Sequence, residues 1–179
     1  MPNRSLTLTL NGQKVGPIDL PEDLMMIDYL HEYENLTGSR FGCGQGICRA
    51  CVVIVDNPDG TSQTERTCIQ GVHFFNGKTV RTIEGVAENN DGQSYEGLNP
   101  IQKKFVDHFA FQCSYCAPGF VNAATVLVEK AQKEPIKKSV LEETIESSLG
   151  DHICRCTGYV RYYEATRDAL EELDLVREG

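Results

Sequence analysis

Eight cysteines, in two groups of four, are the residues of this chain best suited to chemistry. Cys43, Cys48 and Cys51 follow one another as C-x4-C-x2-C, and Cys68 comes after sixteen intervening residues. Cys113 and Cys116 form C-x2-C, Cys154 and Cys156 form C-x-C, and no cysteine is left over. The first spacing is the one that wraps a [2Fe–2S] cluster. Two irons must each receive two thiolates, and backbone N–H groups must turn toward the sulfurs to offset their charge. The loop FGCGQGICRAC suits both needs, because Gly42, Gly44 and Gly46 let the backbone fold closely and take positive φ. Two four-thiolate sites in one small chain predict an electron carrier holding two [2Fe–2S] clusters.

Other uses of eight cysteines fit less well. Disulfides belong to secreted chains, and residues 1–20 alternate polar and apolar without the continuous apolar run of a secretory signal. A chain of 179 residues can also bury a core without staples. Structural zinc sites are usually built from two C-x2-4-C pairs. The second group could pass as one; the first, with three ligands crowded on a glycine-rich loop, does not. A Rieske centre needs histidine ligands, and no His takes a ligand position in either group.

The elements that must hold these cysteines read as two units in an α+β chain. Ser5 to Leu10 alternates as a half-buried strand, Asn11-Gly12 is a hairpin turn, and residues 13–20 return. Pro21-Glu22-Asp23 should open a helix with Leu24, Ile27 and Leu30 on one face. After the cysteine loop come a buried strand Val52–Val55, a turn at Asn57-Pro58-Asp59-Gly60 and a last strand Thr79–Ile83. This order is that of a plant-type, ferredoxin-like β-grasp, over residues 1–86. Residues 87–99 read as a linker. Residues 100–179 read as a four-helix bundle. Asn99 and Pro100 start the first helix, with Ile101, Phe105, Phe109 and Val106 as its apolar stripe, and Pro118 starts the second. Ser139-Val140-Leu141-Glu142 is a capping box for the third, which ends near Gly150, and residues 158–173 make the fourth. The second cysteine group then falls at helix N-termini, where partial positive charge favours thiolates.

Composition narrows the partners. The formal charge is −9, from 17 basic and 26 acidic residues, and bound clusters would make it more negative. No basic stripe exists to neutralise phosphates, so nucleic acid is not expected. No apolar run approaches a membrane span, so no transmembrane segment is expected. Free thiolates imply a reducing compartment during cluster loading, hence cytoplasmic assembly, with later export beside a signal-bearing partner left open. The histidines His31, His73, His108 and His152 show no metal-ligand spacing and read as surface or satisfied side chains, with His152 nearest a cysteine. Glu142, Glu143 and Glu146 read as a solvated helix face. No phosphate loop, triad or paired catalytic carboxylate stands out.

Taken together, FGCGQGICRAC, QCSYCAPG and CRCTGY resemble the iron–sulfur subunit of the molybdenum hydroxylases, the group of xanthine dehydrogenase, aldehyde oxidoreductase and carbon monoxide dehydrogenase. The resemblance covers nearly the whole chain. It implies that Cys113, Cys116, Cys154 and Cys156 hold a cluster proximal to a molybdopterin cofactor in a large catalytic partner subunit. Cys43, Cys48, Cys51 and Cys68 would hold the distal one. Electrons would run from molybdenum through both clusters to an FAD subunit, a cytochrome or another acceptor, during oxidation of an N-heterocycle or aldehyde. Gln112 matches the glutamine that contacts the pterin, Cys156 the ligand whose sulfur the pterin amino group approaches, and Arg155 the cation between two ligands.

The chain departs from the family pattern in three places. Arg49 and Ser114 stand where Gly is usual, and before Cys154 either Asp151-His152-Ile153 replaces Gly-Asn-Leu or Gly150 is that Gly and one residue is inserted. Arg49 is expected to raise the distal potential by favouring the more negative, reduced state. On this reading the chain does no bond-making itself. The alternatives are a free-standing two-cluster ferredoxin, which should be acidic all over, and a colourless zinc-stabilised adaptor.

Overall fold

The computed structural model describes residues 2–87 and 94–178. Residues 88–93 of the expected linker lie outside the described residues. Strand β1 (Asn3–Leu10) buries Leu6, Leu8 and Leu10, as their alternation requires. Asn11 and Gly12 both have positive φ, 49° and 80°, the geometry of a type I′ turn, and β2 (Gln13–Pro21) returns antiparallel. Pro21 ends this strand opposite Asn3 and does not open a helix. Helix α1 (Met26–Glu32) begins later than expected, because the residues before it are paired elsewhere. The Leu24 carbonyl accepts from Val72 N–H at 2.8 Å, and Met25 bridges to Gly71.

Strand β3 (Val52–Asp56) is apolar from Val52 to Val55 because it is buried on both faces. Val53 and Val55 join Leu6, Tyr29, Leu30 and Phe75 in the β-grasp core. Ile54 points the other way, into the core of the helical half. Strand β4 (Ser62–Arg66) is absent from the sequence expectation. It is a polar edge strand with no apolar alternation to announce it, registered on β3 through the Asn57–Thr61 turn. Strand β5 (Thr79–Arg81) completes a sheet of order β2-β1-β5-β3-β4, parallel to β1 and antiparallel to β3.

Helix α2 (Pro100–Asp107) opens with the expected cap. Asn99 accepts from Gln102 N–H at 2.8 Å, and Gln102 Oε1 accepts from Asn99 N–H at 2.9 Å. Its stripe is shorter than expected. Ile101 and Phe105 are buried, whereas Val106 is exposed and Phe109 is 70% exposed. The helix stops first: Ala110 N–H bonds to Phe105 C=O and Phe109 N–H to Val106 C=O, with Phe109 at φ 47°. That is a Schellman motif with phenylalanine where glycine is usual, and it throws the ring outward. Helix α3 (Ala117–Lys133) has Pro118 in its first turn and is buried from Gly119 to Val128. A two-residue strand β6 (Ile136–Lys137) leads to helix α4 (Leu141–Leu149). The Ser139 capping box does not form, because residues 138–140 are a 3-10 turn and Val140 takes the cap position. Helix α5 (Val160–Glu172) and β7 (Val176–Arg177), parallel to β6, finish the chain. Glu142 is not merely solvated; it holds Arg167 of α5 through both oxygens, at 2.6 and 2.7 Å.

The two halves share an interface under α3. Asn122 Nδ2 donates to Val52 C=O at 2.8 Å. Arg81 forks between Asp56 and Glu129, at 2.6–2.9 Å to the first and 2.8–3.0 Å to the second. Gly119 lies so close to the cysteine loop that a Cβ there would fall 2.3 Å from Arg49 O. No helix among the described residues is long and apolar enough to cross a membrane.

Candidate electron-transfer centre

The eight cysteines are free thiols that come together as four close pairs. Cys43 contacts Cys48, and Cys51 contacts Cys68. Cys113 and Cys156 lie 3.5 Å apart, and Cys116 contacts Cys154. The 3.5 Å separation is far beyond a disulfide bond. Among the described residues no three His, Cys, Asp or Glu side chains converge on one point for a single ion. Two close thiol pairs per set suit two irons sharing four thiolates. The loop also leaves the space such a group needs: a Cβ on Gly42 would lie 2.9 Å from Cys48 Sγ, and Gly44 and Gly46 have φ of 66° and 70°. Both sets therefore fit [2Fe–2S] clusters.

Their electrostatic surroundings differ. Cys43 Sγ accepts from Gln45 N–H at 3.3 Å and Cys48 N–H at 3.4 Å. Those donors, Cys48 first, pull its thiol down to about 6. Burial, with Cys51 beside it, pushes Cys68 up to about 11. In the helical set burial pushes Cys116 up to about 11. Cys154 is also pushed up by burial, but hydrogen bonds from Thr157 outweigh this and its thiol ends below the ordinary range. Thr157 Oγ1 stands 3.1 Å from Cys154 Sγ, and the buried Tyr162 hydroxyl 3.4 Å from Cys116 Sγ. Neither hydroxyl stands out in the sequence. Thr157 adjoins the C-x-C pair and is within reach of inspection; Tyr162 lies 46 residues from Cys116, and only the fold joins them.

Six of the cysteines line one cavity of about 310 Å³, with Ala50, Tyr115 and Ile153 among its walls. Ile153 N–H donates to Cys48 C=O at 3.1 Å, so one hydrogen bond links a ligand of the first set to the residue before Cys154. Cys51 and Cys68 are buried outside this cavity, whereas Cys113 and Cys156 are exposed at its mouth; Gln112, next to Cys113 in the chain, is exposed but does not line the cavity.

The departures noted in the sequence also meet here. Arg49, at φ 57°, pairs with Asp151 across the two cysteine loops. Its charge is therefore shared with a carboxylate, which weakens the field expected at the distal set. Histidines 31, 73 and 108 are satisfied, by Ser39 C=O, by the Leu20 and Pro21 carbonyls, and by Asp168. His152 is neither at the surface nor fully satisfied. It is 3% exposed, bonded through Nδ1 to Leu149 C=O at 3.2 Å, with Nε2 unpartnered, and burial then Arg49 pull it down to about 4.

Comparison with known proteins agrees with this geometry. Residues 8–74 match the 2Fe-2S iron-sulfur cluster binding domain and residues 82–167 the [2Fe-2S] binding domain. The nicotine 6-hydroxylase small subunit of Paenarthrobacter nicotinovorans is 33% identical, over 92% of this chain and 88% of its own. The chain belongs to the iron–sulfur subunit family of the molybdenum hydroxylases. Xanthine dehydrogenase of Oryza sativa is also 33% identical over 86% of this chain, which spans 11% of that much longer protein. Among solved structures, quinoline 2-oxidoreductase of Pseudomonas putida 86 superposes with a TM-score of 0.77 at 26% identity, covering 96% of both chains. The chain is thus a mixed helix-and-strand protein carrying two 2Fe-2S binding domains, in keeping with an electron-transfer role.

Proposed function

We propose that this chain is the non-catalytic relay subunit of a molybdenum-dependent hydroxylase that oxidises an N-heterocycle or aldehyde. Cys113, Cys116, Cys154 and Cys156 hold the cluster nearest a molybdopterin cofactor in a large partner. Cys43, Cys48, Cys51 and Cys68 hold the one that serves FAD, a cytochrome or another acceptor. The bound clusters supply one-electron redox chemistry; the protein fixes their spacing, keeps water from the inner thiolates and presents the outer ones. Gln112 and Cys156 meet the pterin. The division into units 1–86 and 100–179, one cluster each, is part of this reading, as is assembly in the cytoplasm.

The observation that carries the proposal is the shared cavity, with Ile153 bonded to Cys48 in its wall and Cys113 and Cys156 exposed at its mouth. Within four residues of those two cysteines stand Phe109, Tyr115 and Val160, at 70%, 48% and 60% exposure. Exposed apolar side chains this near in sequence to the exposed thiols support a fixed subunit over a freely diffusing ferredoxin, which would be polar there. Isolation of the native complex through a tag on this chain tests the reading. A co-purifying molybdopterin subunit is expected, and an accompanying flavin or haem names the acceptor. A red-brown chain that purifies alone overturns it in favour of the free ferredoxin.

A further inference from the structure

Tyr162 is a fully buried polar side chain placed against the helical cysteine set. It is fully buried in α5, stacked on Phe120 with ring centroids 4.0 Å apart and 3° between planes, and tilted against Phe105 at 5.3 Å. That packing leaves the ring no freedom, and among the described residues the hydroxyl has a single polar neighbour, Cys116 Sγ at 3.4 Å. A buried hydroxyl needs a partner. A sulfur bound to iron has no proton to give, so the hydroxyl must be the donor. Thr157 does the same for Cys154, so both buried thiolates of this set face a hydroxyl. On Cys43 the corresponding donors are backbone N–H groups, which no side-chain replacement alters.

We propose that Tyr162 is a positioning residue of the electron-transfer centre, whose O–H···S hydrogen bond to Cys116 raises the reduction potential of the helical [2Fe–2S] cluster. The inference rests on the ligand assignment proposed above. One-electron reduction adds one negative charge to the iron–thiolate unit, and no bond to carbon, nitrogen or oxygen is made or broken. A donor aimed at a ligand sulfur is held more tightly by the more negative state, and so favours it. The Phe105–Tyr162–Phe120 packing matters because it fixes the direction of that donor.

The test uses the full chain in its native complex and reads each cluster's potential by EPR-monitored titration. Tyr162→Phe removes only the oxygen. The helical cluster is expected to move to a more negative potential, with several-fold less of it reduced at a fixed poise, and to lose an exchangeable proton coupling in ENDOR. The β-grasp cluster stays put. Incorporation of 3-fluorotyrosine at position 162 makes a stronger donor and should shift the helical cluster the opposite way. A purely structural role would not produce opposite signs. Unshifted potentials, or shifts of one sign in both variants, with both clusters present, overturn the inference alone. Wild-type protein without a second cluster signal overturns the ligand assignment and the inference together. Should Tyr162→Phe not accumulate, the fluorotyrosine protein decides by itself: an unmoved or more negative potential sinks the idea.

Discussion

Gly42 shows how narrowly a single residue can matter in this molecule. A Cβ there would come within 2.9 Å of Cys48 Sγ, an atom that iron would hold in place. Gly42→Ala should therefore lower occupancy of the β-grasp cluster, measured as iron content and loss of one EPR signal, while the helical signal persists. Gly71→Ala is the control. Its added methyl would meet only the Leu24 carbonyl at 3.8 Å, an ordinary contact, and both signals should be retained. The cysteine spacing makes the two groups of four legible from sequence, since spacing is a local property. The Arg49–Asp151 pair, 102 residues apart, and the Tyr162 hydroxyl are not legible, because only tertiary packing creates them. His152 reads wrongly from sequence for the same reason: burial is decided by α3 and α4, not by neighbours in the chain.

Among elements, those with a local signal are legible and those without are not. The type I′ turn at Asn11-Gly12, the Asn99 cap and the apolar run of β3 each carry one. Strand β4 carries none, and its polar residues form a strand because β3 offers a free edge. The Ser139 box fails although its sequence is right, because the preceding β6 sets the backbone into a 3-10 turn. Contact between β5 and α3 depends on Arg81, whose side chain is 22% exposed and whose two acidic partners are each 29% exposed. Arg81→Ala leaves Asp56 and Glu129 facing each other without a cation. It should cost roughly 2–4 kcal/mol, somewhat less than for fully buried pairs. Thermal denaturation followed by circular dichroism checks this. Arg81→Lys should recover only part of the loss, since an ammonium cannot fork between two carboxylates.

At the scale of the whole molecule, the face proposed to meet the large partner is held in place at a local energetic cost. Phe109 occupies a left-handed position that glycine would take freely, a strain of about 1 kcal/mol. Phe109→Gly should thus raise the melting temperature of the isolated subunit yet weaken its association with the proposed large partner. Pull-down of that partner and a melting curve, read together, check the two opposite effects. The α+β class and the ferredoxin-like β-grasp are legible from sequence, but the way the halves meet is not. Ile54, in the middle of the β-grasp sheet, belongs to the helical core, and Val86 joins it there. The chain therefore has two cores that share one strand, β3. Expressed as separate polypeptides, residues 1–87 and 94–179 should each leave apolar surface wet and be poorly soluble alone. Produced together, they should find one another and co-purify, because what unites them is a shared strand and not the peptide that runs between them.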